Sequence, residues 1–170
     1  IKTSTPAPCR KMLKDAFKIL MSGTEEECIE YIERCRKEFK SLPPEEVSFP
    51  RTASNVEKWH SSADLYGKGC PIHIRGAILY NHWTKKKDID HKYATIQNGE
   101  KIKFCYLKTP NWMHENVISF IQDFPTELDL DKHVDYDLQF SKAFLDPIKV
   151  ILDCIGWETE RKNTLESFFS

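Results

Sequence analysis

The sequence predicts an α+β domain in which helix outweighs strand. Three observations predict it: a helical hairpin pattern at the start, an Asn98-Gly99 turn beside an alternating segment, and a long helical pattern after Val134. The 170 residues are 40% hydrophobic and 12% aromatic, which is enough for one domain with a core. We expect that domain over residues 1–160, followed by a short tail over residues 161–170.

The first two predicted helices form the hairpin. Ser4-Thr5-Pro6 is typical of a helix start, and Gly23 is typical of a stop. Thr24 and Glu27 have the spacing of a capping box, so a second helix is expected directly afterwards. Its apolar side is expected to be core, and it should end before Pro43-Pro44. That apolar side comprises Cys28, Ile29, Ile32, Cys35 and Phe39.

The middle of the chain predicts a small antiparallel sheet between residues 94 and 121. Asn98-Gly99 is a strong hairpin turn, so we expect strands at residues 94–97 and 101–107, with a third at 117–121. Residues 47–49 are a further short strand candidate, and residues 53–59 predict a helical turn. A helix is expected after Pro71, with apolar positions through Leu79.

The last pattern is a long helix from Val134, or a pair of helices broken near Pro147, ending at Gly156. Asp135 and Asp137 offer two carboxylates within this pattern. Adjacent helical positions point apart, so the two acids do not predict a catalytic metal pair.

The six cysteines form no CxxC pair and favour reduced structural thiols. A zinc site can be drawn from Cys70, His73 and His82, but its spacing matches no common zinc module, so no metal is expected in this chain. No signal peptide or apolar run near twenty residues is present, which predicts a cytoplasmic protein that is not secreted and has no membrane partner.

The segment from Gly67 to Gly76 carries the clearest chemical signal. It holds three glycines together with Lys68, His73 and Arg75, directly before an apolar helical run. Glycines allow a backbone to approach a ligand closely, and a helix start favours anions, so this segment predicts a phosphate-binding site. An ordinary glycine-rich turn with a helix cap remains the alternative.

The charge distribution favours the phosphate interpretation. The whole chain has a formal net charge of −1, which argues against a protein that coats nucleic acid generally. Residues 51–108, however, carry eleven basic and five acidic side chains, whereas residues 109–170 carry five basic and twelve acidic ones. The part of the chain that holds the glycine segment is therefore the part that favours an anionic partner.

The C-terminus ends in an apolar triad, Leu165, Phe168 and Phe169. On one helical turn these side chains share a side, and two exposed phenylalanines at a chain end are unfavourable unless something buries them. A partner protein would bury them, and folding of the tail back onto its own domain is the alternative.

Several of these segments resemble the thumb of family B DNA polymerases of T-even-type tailed phages, in particular a cyanophage-like branch. The resemblance is carried by the Ser-Thr-Pro start, residues 52–58, the loop from Cys70 to Gly76, residues 99–101, and Asp135-Tyr136 with Lys142 and Pro147. Residues 163–169 are similar to the peptide with which such polymerases bind a sliding clamp. Gly69 and Asp146 depart from the family pattern, which often has lysine there.

The resemblance implies a domain that grips the primer–template duplex through sequence-independent contacts and docks on the clamp through Leu165, Phe168 and Phe169. The palm and finger parts of the polymerase would be its other partners, and the palm would hold Mg²⁺. The implied DNA-binding residues are Thr52, Ser54, Asn55, Lys58, Lys68, Gly69, His73, Arg75, Gly76 and Lys142.

Each of these assignments has an ordinary alternative. Arg75 could pair with a carboxylate, His73 could be a buried structural histidine, and Lys142 could lie on a solvated helix face. We expect no catalytic residues in this chain, which would be either an excised or a separately encoded piece of a polymerase. A stand-alone adaptor that tethers duplex DNA to a clamp is the alternative function, and a Cys/His-based nuclease or deaminase is weaker.

Overall fold

The computed structural model describes residues 1–161 and shows an α+β domain in which helix outweighs strand, as the sequence predicts. The helices are α1 (Ala7–Ser22), α2 (Glu25–Lys40), α3 (Pro44–Val47), α4 (Ile72–Lys86), α5 (Tyr136–Phe140) and α6 (Asp146–Ile155). The strands are β1 (Phe49–Thr52), β2 (Lys101–Tyr106) and β3 (Val117–Phe120).

The N-terminal hairpin forms at the predicted signals. The Gly23 amide donates to the carbonyl of Ile19 at 2.6 Å and closes α1. Thr24 caps α2, because its hydroxyl accepts a hydrogen bond from the Glu27 amide at 3.2 Å. The five apolar positions predicted for α2 are all buried. Local capping chemistry therefore sets the turn between α1 and α2, whereas α1 begins at Ala7 with no side-chain cap.

The sheet differs from the prediction in its first strand. β2 and β3 form as expected, but residues 94–97 are not a strand, and β1 pairs with β2 instead. Asn81 of α4 explains the difference, since its side chain donates to the carbonyl of Ile96 at 3.0 Å and accepts from the Ile96 amide at 2.8 Å. The amide and the carbonyl of Ile96, which a strand would use to pair with a neighbouring strand, are thus both hydrogen-bonded to α4.

The three strands are antiparallel in the order β1–β2–β3. Phe49 lies opposite Phe104, and Phe104 lies opposite Ser119. α4 packs on the face that carries Ser119, where the Ser119 hydroxyl donates to the carbonyl of His73 at 2.8 Å. This bond fixes the first turn of α4 against β3.

The C-terminal helix continues through Pro147 rather than breaking there. Residues 141–145 form a π-helical turn between α5 and α6, and Pro147 lies in the first turn of α6, where its missing N–H is tolerated. Gly156 ends α6 in the left-handed region at φ 74°, as predicted. Among residues 1–161 no helix combines the length and apolar character needed to cross a bilayer.

All six cysteines are free thiols, four of them buried. Burial, with a smaller effect from neighbouring Cys35, raises the pKa of Cys9 to about 12. Burial likewise raises the pKa of Cys105 to about 12. These thiols stay protonated at neutral pH and act as core side chains.

Candidate nucleic-acid interface

The segment from Thr52 to Asn55 forms an exposed polar corner where β1 ends. The Ala53 amide donates to the carbonyl of Glu100 at 2.8 Å, and the Gly99 amide donates to the carbonyl of Ala53 at 2.7 Å. These bonds hold the corner against the Asn98-Gly99 turn while Thr52, Ser54 and Asn55 remain exposed. The corner is a fixed backbone that presents short polar side chains to solvent.

Asn98 completes this corner. Its side-chain oxygen accepts a hydrogen bond from the Asn55 amide at 2.5 Å, and Asn55 itself lies in the left-handed region at φ 59°. Asparagine tolerates that conformation better than most residues. The Asn55 backbone is therefore held in one place and its side chain is exposed, and short amides and hydroxyls of this kind bind phosphate oxygens well.

The glycine turn, residues 67–69, packs on the helical turn Val56–Trp59 that directly follows the corner. The Gly67 amide donates to the carbonyl of Trp59 at 2.8 Å, and the Nζ of Lys58 lies 5.2 Å from the Trp59 ring centroid. Lys68 and Gly69 are exposed, and Gly69 has φ +82° with open space around it. Trp59 thus connects the turn that carries Lys58 with the turn that carries Lys68.

The start of α4 follows at once. Pro71 occupies the N-cap position of α4, and the first helical residue is Ile72. No side chain caps this end of the helix. The first N–H groups of a helix have no partner within it. This end of α4 therefore adds backbone donors next to the glycine turn.

His73 is half-buried and joins α4 to β1. Burial lowers the pKa of its imidazole, nearby Arg51 lowers it further, and a hydrogen bond to the Thr52 backbone opposes both effects. The ring centroid lies 6.3 Å from that of Phe104. His73 is mainly neutral at pH 7, so it would meet DNA as a hydrogen-bonding group more than as a cation.

The lowered pKa of His73 predicts a pH dependence of stability. The unfolded chain binds a proton at His73 near pH 6.5, and the folded chain binds it only at lower pH, so the contribution to stability present above pH 6.5 is lost as pH falls through the folded pKa. The melting temperature should fall between about pH 7 and pH 5, and less steeply in His73→Gln. His91→Gln, which changes an exposed histidine, is the control, and equal slopes in all three proteins would contradict the expectation.

Arg75 forms an ion pair, as the alternative interpretation allowed. Its guanidinium donates to Glu115 at 2.9 Å and to the side-chain oxygen of Asn116 at 2.8 Å. The hydroxyl of Tyr66 donates to the same carboxylate at 2.6 Å, and Arg75 also lies over the Tyr66 ring. The side chains of Arg75 and Glu115 are only 21% and 18% exposed. Whether Arg75 also contacts DNA stays a prediction, but its structural role is to tie α4 to the segment before β3.

Gly76 is buried against β3. A Cβ there would overlap the Ser119 hydroxyl oxygen and lie 2.8 Å from the Ser119 amide nitrogen. Close helix–strand packing accounts for this glycine. Any contact of its backbone with DNA stays a prediction.

Lys142 lies on the π-helical turn, exposed, with its Nζ 5.3 Å from the Tyr106 ring centroid. The Tyr106 ring lies 5.8 Å from Phe104, whose ring in turn neighbours His73. We call Phe49, Phe104 and Tyr106 the aromatic row. This row separates Lys142 from the polar corner, so Lys142 lies at the far end of the candidate interface.

Arg51 is the functional candidate that the sequence did not identify. Its guanidinium carbon lies 5.4 Å from the Phe104 ring centroid, between His73 and the N-terminal segment. Residues 47–49 were the predicted strand, whereas the actual strand runs to Thr52 and places Arg51 on the same face as Phe49. Arg51 follows Phe49 by two positions, and side chains at that spacing in a strand lie on the same face. This spacing was the one sequence signal that could have placed Arg51 beside Phe49.

The potential metal ligands do not assemble a buried site. In residues 1–161 the one group of three close ligating side chains is Asp88, Asp90 and His91, all exposed, and Cys70, His73 and His82 are not such a group. Asp135 caps α5 by accepting from the Leu138 amide at 3.0 Å, and Asp137 pairs with Lys40 at 3.2 Å. The two acids have structural partners in place of a shared ligand.

The segment after α6 runs onto α2. The Glu158 amide donates to Glu25 at 3.0 Å, Arg36 pairs with Glu160 at 3.5 Å, and Arg161 lies 3.7–4.0 Å from three carboxylates of α2. Those three carboxylates belong to Glu26, Glu30 and Glu33. The predicted clamp-binding residues Leu165, Phe168 and Phe169 lie outside the described residues.

Two known proteins are similar to this chain over 99% of its length. One is the DNA-directed DNA polymerase of Enterobacteria phage T4, at 24% identity, and the other is the DNA-directed DNA polymerase of Escherichia phage RB69, at 28% identity. The chain is homologous to phage DNA polymerases. It spans about a fifth of the length of these relatives, 19% in each case. No protein-family model matches it.

Proposed function

We propose that this chain is the thumb of a family B phage DNA polymerase, which grips the primer–template duplex and docks on a sliding clamp through its C-terminal peptide. End-to-end similarity to two phage DNA polymerases carries the proposal. The palm and finger parts of the polymerase would be its other partners, with Mg²⁺ in the palm. The place of action would be the cytoplasm of the infected cell.

The exposed polar corner and the glycine turn support the duplex grip. Thr52, Ser54 and Asn55 offer hydroxyl and amide groups, and Lys58 and Lys68 add positive charge nearby. Short side chains on turns reach phosphate oxygens more readily than base edges deep in a groove. Such contacts suit an enzyme that must hold every sequence it has just copied.

Salt dependence tests the duplex grip. Each neutralised phosphate contributes roughly −0.9 to the slope of log affinity against log salt, so about four contacts give a slope between about −3 and −4. Lys68→Ala should reduce the magnitude of that slope by about one, because Lys68 lies on the glycine turn. Lys86→Ala is the matched control, since Lys86 is equally exposed but lies in the last turn of α4.

Two results would contradict this grip: an affinity that does not change with salt, or equal slopes for Lys68→Ala and Lys86→Ala.

Arg75 is unsuitable for the same test. Its replacement would leave the largely buried Glu115 without its cation, and lost stability would be confused with lost DNA contact.

The contacts of residues 158–161 with α2 support the clamp part of the proposal. They hold residues 158–161 against α2, and a binding segment on a shorter tether acts at a higher effective concentration than one on a longer tether.

Reversing the charges of the ion pairs between Arg161 and α2 tests this anchoring. Arg161→Glu places an acid among the carboxylates of Glu26, Glu30 and Glu33, so the hydrogen-bonded amides of Trp157 and Glu158 should exchange about two- to fivefold faster, the size expected for a small exposed ion-pair network. Combining it with lysine at those three positions should restore slow exchange. Lys132→Glu, which changes an exposed pair elsewhere, is the control. Equal exchange rates in all variants would exclude the anchoring.

A further inference from the structure

A cavity of about 670 Å³ lies beside the aromatic row. The N-terminal segment, α1, β1 and the junction of the π-helical turn with α6 surround it, and Arg51 and Lys142 both line it. Cavities that hold small organic ligands have this size, and they combine apolar walls with a few converging polar groups.

Three basic side chains line this cavity, those of Lys2, Arg51 and Lys142, and none of them forms an ion pair with a carboxylate among residues 1–161. The Arg51 guanidinium donates only to the carbonyls of Pro50 at 3.0 Å and Ser4 at 3.5 Å. Neutral carbonyls do not cancel its charge, so Arg51 and Lys142 remain available to an anion.

The remaining lining residues determine what kind of anion fits. Half-buried Phe17 and exposed Pro147 supply accessible apolar surface, and Ser4 and Thr5 supply half-buried hydroxyls. A ligand that carries a planar apolar group and a phosphate would use both parts of the lining. Asp146 is the one carboxylate on the cavity wall, and it disfavours ligands with several phosphates.

We propose that this cavity binds a nucleoside 5′-monophosphate, with the phosphate between Arg51 and Lys142 and the base against the half-buried ring of Phe17. The nucleotide is either free or an unpaired residue of a DNA strand, since both present the same groups. The site is distinct from the polar corner at Thr52–Asn55, and its assignment does not require that the corner grips duplex DNA.

Calorimetric titration of the full 170-residue chain tests the proposal. Thymidine 5′-monophosphate should bind, and thymidine and inorganic phosphate should each bind at least about tenfold more weakly, because each lacks one half of the contacts. Arg51→Gln should weaken thymidine monophosphate about tenfold, the effect of one charge-assisted hydrogen bond. Asp146→Asn should strengthen it severalfold.

Lys149→Gln is the matched control, because Lys149 is exposed on α6 and does not line the cavity. Phe17→Ala should weaken thymidine monophosphate without changing the weak binding of inorganic phosphate. Equal affinities of the wild type and Arg51→Gln, both shown to be folded by circular dichroism, would overturn the proposal. So would inorganic phosphate binding as tightly as the nucleotide.

A short oligothymidylate separates the two sources of the nucleotide. Tighter binding of the oligomer than of the monomer, with the same loss in Arg51→Gln, assigns the cavity to an unpaired strand residue. Tighter binding of the monomer assigns it to free nucleotide. If duplex binding keeps its salt slope in Arg51→Gln while nucleotide binding is lost, the cavity acts independently of the duplex grip.

Discussion

Gly76→Ala is expected to destabilise the domain by about 3 kcal/mol, near the upper end of the range for overpacking a close contact. The added Cβ would lie 2.8 Å from the Ser119 amide nitrogen and 3.1 Å from the carbonyl carbon of Ile118. Both are backbone atoms of β3, so α4 must move away from the sheet. A domain of this size would lose about 6–12 °C in melting temperature.

Gly67→Ala is the matched control for this experiment. The nearest atom to a Cβ at Gly67 is the Trp59 carbonyl oxygen at 3.8 Å, an ordinary contact, so its melting temperature should stay near that of the wild type. Adding Ser119→Ala to Gly76→Ala should restore part of the loss, because it removes the hydroxyl but leaves the backbone. If the two glycine variants melt at the same temperature, the helix–sheet contact is not what requires Gly76.

Replacing Phe168 and Phe169 together by alanine should reduce clamp-dependent processivity of the complete polymerase by at least about tenfold. Each phenylalanine buried in a clamp pocket contributes about 1.5–3 kcal/mol, and the tail acts at high effective concentration once DNA holds both proteins. Primer extension without the clamp should be unchanged. The measurement is product length in a single binding event, with and without clamp.

Met21→Ala is the control for this experiment, because Met21 is 88% exposed on α1 and is an apolar side chain outside the tail. It should alter neither reaction. If the double phenylalanine variant loses clamp-free extension to the same degree as clamp-dependent extension, the phenylalanines belong to the core of the domain. The alternative in which the tail folds back would then hold.

The helices were predictable because their signals are local. Thr24, Gly23 and Gly156 each act within one turn of the helix that they begin or end, and the structure shows them doing so. The strand Lys101–Tyr106 was predictable for a similar reason, since its alternation of charged and apolar residues is visible within a few positions. Val117–Phe120 does not alternate, because all four residues are buried, and it was predictable only as a short apolar run.

A strand was expected at residues 47–49, but the bounds of β1 and its pairing with β2 were not predictable because the partner is remote. Phe49 pairs with Phe104, more than fifty positions later, and Asn98-Gly99 resembles a hairpin turn on local criteria. The side chain of Asn81 occupies the backbone groups of Ile96, and no local pattern encodes that contact. Tertiary bonds therefore override the local turn preference.

In the candidate site, too, some features follow from local residue types and others depend on residues far along the chain. The exposed positions at Thr52–Asn55 and Lys68 follow from residue type and turn chemistry. The structural roles of Arg75 and Gly76 depend on Glu115 and Ser119, which lie about forty residues later and only meet α4 in the folded chain. A single sequence cannot separate a phosphate-binding arginine from one that pairs with a distant carboxylate.

The central claim is that one face of this domain grips duplex DNA, and mapping amide chemical shifts of the full 170-residue chain during titration with a short DNA duplex tests it most directly. We expect shifts at Thr52, Asn55, Lys58 and Gly69, similar for two duplexes of different sequence, and none at Glu30 on the acidic side of α2. Shifts confined to α2 or α6, or shifts at the polar corner with only one of the two sequences, would contradict it.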